Sequence, residues 1–197
     1  MEKITVKSKF STRQMAMVGM LSAISIFLGL TGLGFIPIPP VKATIMHLPV
    51  IIGAIIEGPI VGVLVGSVFG LFSMYQAFTT PLPTSFIFWN PIIALLPRIL
   101  IGVVSYYVYV FCKKYFKKQS LSIGVSAVLG TLTNTIGVMG LTYVIYLEKY
   151  AQALGISTTA AKIGIGGVIV TNGSIEAIVS AVISIPVVLT LIKIKKM

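Results

Sequence analysis

Acidic side chains are nearly missing from this sequence: four Asp and Glu stand against 15 Lys and Arg in 197 residues. There is one cysteine, Cys112, one histidine, His47, and one tryptophan, Trp89. A lone cysteine excludes an intramolecular disulfide and a thiolate metal cluster. Cys112 ends an apolar run beside Lys113, a setting for an inert thiol. His47 has no Cys or acidic neighbour at metal-ligand spacing and reads as an interfacial histidine. No nucleophile elbow, HExxH, acid pair or phosphate-binding loop is present, so no enzyme and no intrinsic ATPase is expected. Gly164–Gly167 reads as a glycine-rich helix start, not a nucleotide motif.

Apolar residues are what the chain has instead. They make up 56% of it, charged residues only 10%, and mean hydropathy is +1.04. Soluble domains carry roughly 25% charged residues. The composition therefore specifies an integral membrane protein, and 197 residues leave no room for a soluble catalytic domain beside the spans. The net charge of +11 would suggest nucleic acid in a soluble protein. Here the basic residues flank apolar runs, and the better reading is membrane topology with no nucleic-acid partner.

The pattern predicts an all-α bundle of six transmembrane helices in one domain over 1–197, with spans near 15–35, 43–57, 59–76, 91–111, 121–147 and 163–192. The basic start before an apolar run resembles a signal peptide, but with no small-residue cleavage site it is read as a retained span. Eleven basic residues (Lys3, Lys7, Lys9, Arg13, Lys113, Lys114, Lys117, Lys118, Lys193, Lys195 and Lys196) fall on one side of this topology. Lys42, Lys149 and Lys162 fall on the other, which predicts cytoplasmic N- and C-termini. The uncharged stretch 77–90, with Phe78, Phe86, Phe88 and Trp89, reads as an interfacial loop or lid, and 148–162 as a loop of mixed polarity.

Gly62, Gly66 and Gly70 recur every four residues, giving one helix face that another backbone can approach closely. Pro59 suits the first turn of that helix. Gly19, Ser22 and Ala23, with Ala16, put small residues along one side of span 1.

Three charges fall within or beside the spans: Glu57, Arg98 and Glu176. Glu57, at a predicted cytoplasmic turn, reads as solvated or facing a partner. Arg98 either grips a ligand carboxylate through paired hydrogen bonds or pairs with Glu176 inside the bundle. Asn172 and Glu176 share a face of span 6, and Asn134 lies among threonines in span 5. These amides suit a small polar ligand or serve as interhelical glue. Thr133 and Thr171 are expected to bond back to their own helices. Trp89 and Asn90 lie at the outer end of the same region, where Trp89 is a ligand lid or an interfacial anchor.

The length, the six spans and the basic ends are joined by HLPVIIGAIIEGPIVGVLVG at 47–66, LLPRILIG at 95–102, TNTIGVMG at 133–140 and TNG with Glu176 in span 6. With these motifs the chain resembles the substrate-binding S components of energy-coupling factor (ECF) vitamin transporters. The resemblance implies a bacterial plasma-membrane protein that binds a vitamin near its outer face and needs no cofactor. It also implies partners, namely a transmembrane coupling subunit and two cytoplasmic ATPases. Docking on the coupling subunit would fall to Gly19, Ser22 and Ala23, where Gly replaces the first Ala of the family's Ala-x-x-x-Ala pattern. The likeness is greatest to S components assigned to pantothenate, with riboflavin, folate or another small acid as alternatives. Arg98, Asn134, Asn172, Glu176, Trp89 and Asn90 are the substrate-site candidates. A stand-alone carrier or channel is the reading from another class, and no internal repeat supports it.

Overall fold

The protein is described by a computed structural model covering residues 10–36 and 43–196, with the side chain of Lys196 excluded. Lys3, Lys7, Lys9 and Lys42 lie outside the described residues, as do Pro37, Pro39 and Pro40. The elements are α1 (Thr12–Thr31), β1 (Phe35–Ile36), β2 (Ala43–Thr44), α2 (Leu48–Glu57), α3 (Pro59–Thr79), a 3-10 helix (Ser85–Trp89), α4 (Pro91–Tyr115), α5 (Gln119–Leu154) and α6 (Thr158–Lys196). The chain is an all-helical bundle with one two-residue antiparallel ladder, Phe35 opposite Thr44 and Ile36 opposite Ala43.

Five helices, α1 and α3 to α6, are long and apolar enough to cross a membrane. The sixth, α2, has ten residues. At 1.5 Å per residue it is about 15 Å long, half of a hydrocarbon core of about 30 Å. Its position explains its composition. Every residue from Leu48 to Ile56 is buried, with Val50, Ile51 and Ala54 wholly inaccessible. A helix apolar all round belongs in a core, and α2 is that core, packed by Leu21, Val61, Val65, Phe69 and Ile101. The outward faces of the long helices carry Met20 and Phe27, Leu71 and Tyr75, Tyr107 and Phe111, and Val170 and Ile178, all exposed. Such a belt is suited to lipid, not water.

The glycine face of α3 packs on α4 backbone. A Cβ at Gly66 would run into the Arg98 carbonyl, one at Gly70 would lie 2.7 Å from the Ala94 carbonyl, and one at Gly62 would lie 2.8 Å from Gly102 Cα. Small residues here let two backbones touch, and the contact fixes the height of α4 beside α3.

Helix ends differ from expectation in several places, and α6 starts at Thr158, so Gly164–Gly167 lie inside that helix and do not start it. Span 1 begins earlier, because Ser11 and Gln14 form a reciprocal capping box and Gly32, left-handed at φ 75°, ends the helix. The predicted span 2 loses its first residues to β2. The predicted loop 148–162 is mostly helix: α5 runs to Leu154, and three residues with Gly155 at φ 65° turn the chain into α6. A bend at Tyr146 (φ −129°, ψ 20°) redirects the end of α5. Tyr150 and Ala151 then pack with Phe86 and Ile87, and Lys149 Nζ sits 4.7 Å from the Phe86 ring centre. Those contacts keep the segment helical.

Glu57 is not solvated. Its side chain is almost wholly covered, and Oε1 takes both Arg13 Nη2 at 2.9 Å and Lys195 Nζ at 3.4 Å. Gln14 Nε2 donates to the Glu57 carbonyl and Lys195 Nζ to that of Ile56. The first turn of α1, the α2–α3 turn and the last turn of α6 therefore meet at one end of the bundle.

Candidate functional site

The polar centre is assembled on one face of α5. Thr131, Asn134, Thr135 and Val138 follow helical spacing and are all buried. Thr131 Oγ1 lies 2.9 Å from His47 Nε2, and His47, at the start of α2, is fully buried with Nδ1 unpartnered. Thr135 Oγ1 donates to Glu176 Oε2 at 2.8 Å. Glu176 Oε1 accepts from the backbone N–H of Thr44 at 2.7 Å. Both carboxylate oxygens thus hold protein donors, and β2 is tied through them to α5 and α6.

Arg98 reaches the same cluster from α4. It is 5% exposed, and among the described residues no ion pair joins it to Glu176, although the two side chains interact electrostatically. His47 is also within electrostatic reach. The guanidinium carbon lies 4.9 Å from the Phe88 ring centre and 5.4 Å from that of Phe69. Both rings lie within cation–π range of the guanidinium, adding to the attraction of Glu176. Nη1 donates to the Ile93 carbonyl at 2.9 Å, while Nε is buried with no partner. Asn134 Oδ1 is likewise buried and unpartnered.

The remaining candidates divide. Asn172 is buried on α6 one turn before Glu176 and accepts from Thr171 at 3.2 Å. Gly173 beside it packs on Thr135, which brings this turn of α6 onto the polar face of α5. Asn90 caps α4, its Oδ1 accepting from the Ile92 N–H at 3.0 Å and its Nδ2 donating to the Tyr146 hydroxyl. Trp89 is 46% exposed, stacks on Phe78 at 5.6 Å and donates to the Ala77 carbonyl, so it pins the 3-10 helix to the end of α3. On α1, Gly19 and Ala23 are exposed, with nothing within 4 Å of a Gly19 Cβ, whereas Ser22 points inward and is buried. Thr133 and Thr171 bond back to Leu129 and Gly167 of their own helices.

Sequence reasoning left His47, Thr131, Thr135, Phe69 and Phe88 out of the cluster. The signal available for His47 was its place between an apolar core helix and a turn, where an isolated imidazole needs a buried partner. Among the described residues no three His, Cys, Asp or Glu side chains gather as a metal site. An open groove on the outer side of α4 and α5, lined by Tyr107, Phe111 and Leu129, is apolar and faces the lipid side, away from this cluster.

A lipid-facing belt around a buried cluster of guanidinium, carboxylate, imidazole and amides marks a multi-pass membrane protein with a polar interior. The chain belongs to the family of ECF transporter substrate-specific components, which its residues 13–188 match. It is 33% identical over 168 residues to the pantothenic acid transporter PanT of Lactococcus lactis subsp. cremoris (strain MG1363), a match covering 78% of this chain and 80% of that relative. It is 34% identical over 131 residues to the pantothenate transporter PanT of Leuconostoc mesenteroides subsp. mesenteroides, covering 63% of this chain and 64% of the relative. Membership makes it a multi-pass protein of the bacterial plasma membrane with a transport role.

Proposed function

We propose that this chain is the high-affinity pantothenate-binding subunit of an ATP-dependent ECF uptake transporter. The observation that carries this reading is Arg98, a buried cation with an unpartnered Nε and, among the described residues, no carboxylate within ion-pair distance. Buried polar groups are rarely left unpaired. Arg98 therefore calls for an anionic acceptor, and Asn134 Oδ1 for an O–H or N–H donor. Pantothenate supplies a carboxylate, hydroxyls and an amide N–H on one short chain. Riboflavin has no carboxylate to offer Arg98. In this reading Arg98, Asn134 and Asn172 touch the ligand, Glu176 holds β2 beside it, and Trp89 and Asn90 stand at the outer end.

Both termini are cytoplasmic in the proposed topology. The start of α1, the α2–α3 turn and the end of α6 share the Glu57 end, so the ladder and α2 together bring the chain back across after α1. ATP hydrolysis belongs to two partner ATPases, reached through a transmembrane coupling subunit that docks on the exposed Gly19–Ala23 side of α1.

The test is calorimetric titration of the purified protein in detergent with pantothenate, riboflavin and folate, with Trp89 fluorescence in parallel. Saturable submicromolar binding of pantothenate alone is expected. Binding of riboflavin or folate instead overturns the pantothenate assignment, and binding of none overturns the vitamin-binding reading. A second prediction concerns docking. Gly19→Leu should leave ligand affinity unchanged while coupling subunit and ATPases no longer co-purify; an undiminished complex would remove this side of α1 from the interface.

A further inference from the structure

We infer that Pro97 is a positioning residue for the Arg98 guanidinium. In an α-helix the N–H of residue 97 would bond the carbonyl of residue 93. Proline has no N–H, so the Ile93 carbonyl loses its helical partner in the buried interior of α4. Arg98 Nη1 bonds that carbonyl at 2.9 Å, reaching back five residues along its own helix. The proline creates an acceptor, and the arginine next to it fills that acceptor.

The surroundings leave the guanidinium little other choice. The Arg98 carbonyl lies against Gly66 of α3. On the opposite side α5 presents Gly137 to the proline ring, where a Cβ would come within 3.0 Å of Pro97 Cβ and 3.2 Å of Cγ. The α4 backbone at 97–98 is clamped between two glycines. Phe69 and Phe88 limit the guanidinium laterally. The Ile93 carbonyl sets the remaining freedom, rotation of the side chain along the helix axis, and so fixes where Nε points.

Replacing the proline tests this directly. Pro97→Ala and Pro97→Ser restore the backbone N–H, which takes the Ile93 carbonyl along the helix axis and releases Nη1. The chain has two arginines, Arg13 and Arg98, so 15N-arginine labelling in detergent gives a guanidinium spectrum that Arg13→Lys reduces to Arg98 alone. Separate, slowly rotating Nη signals are expected in the parent and merged ones in the proline variants. This readout needs no ligand, so it decides the inference even if the pantothenate assignment fails.

The functional consequence rests on Arg98 receiving the ligand carboxylate. Affinity for pantothenate should fall about tenfold in Pro97→Ala, or about 1.4 kcal/mol. Affinity for panthenol, the neutral alcohol analogue, should hold, and thermal stability should stay level or rise. Unchanged Arg98 signals, equal losses for the two ligands, or failure of both proline variants to fold would each overturn the inference.

Discussion

Arg98→Ala should lower pantothenate affinity by at least about 100-fold, measured by calorimetry on the detergent-purified protein. A hydrogen bond to a charged group contributes about 1.5–3 kcal/mol, and a paired guanidinium–carboxylate contact makes two. At about 1.4 kcal/mol per factor of ten, the loss corresponds to about two to four decades. The same substitution strips the Ile93 carbonyl of its one side-chain donor. An unsatisfied buried carbonyl costs about 1–3 kcal/mol, so the melting temperature should fall as well. Arg98→Lys separates the two roles. It keeps the charge but not the planar fork, and affinity should land between parent and alanine. Parent-like binding by Arg98→Ala would place the ligand away from this residue.

Gly66→Ala should be strongly damaging for a single added methyl. The added carbon would meet the Arg98 carbonyl oxygen, a backbone atom with no rotamer to move aside. Overpacking a tight interface costs about 1–3 kcal/mol, and here the strain falls on two helices at once. Relief comes only by moving α4 away from α3, which carries Arg98 with it. Thermal unfolding and pantothenate affinity should therefore both deteriorate. Gly140→Ala and Gly164→Ala are the controls, because nothing lies within 4 Å of a Cβ at either. A Gly66→Ala protein as stable as those two would mean the α3–α4 contact yields more than its geometry implies.

The Gly62–Gly66–Gly70 face was legible from spacing alone, because helical periodicity fixes which residues share a side. The buried α2 was legible in part: its length showed that it cannot cross upright, but only the packing shows it as the core. Arg98, Asn134 and Glu176 stood out because polar groups are costly within apolar segments. Their partners did not stand out. Glu176 meets Thr44 across 132 positions, and His47 meets Thr131 across 84. No local pattern encodes such a pairing, and one side of the first is a backbone N–H that every residue but proline owns. Glu57 was misjudged for the same reason, since its two cations come from opposite ends of the chain. The 148–162 segment misled because mixed polarity reads as loop, whereas Lys149 over Phe86 and the buried Tyr150 stabilise a helix end there.

The Glu57 contacts also tie together segments that are far apart in the chain. One carboxylate oxygen closes a hoop through α1, the α2–α3 turn and α6, reinforced by two bonds to backbone carbonyls. At the polar centre, by contrast, β2 is fastened to α6 through the Thr44 amide on Glu176. Residues near both ends of the described chain are clasped by Glu57 around the turn between α2 and α3, so a truncation at either end removes one cation from Glu57.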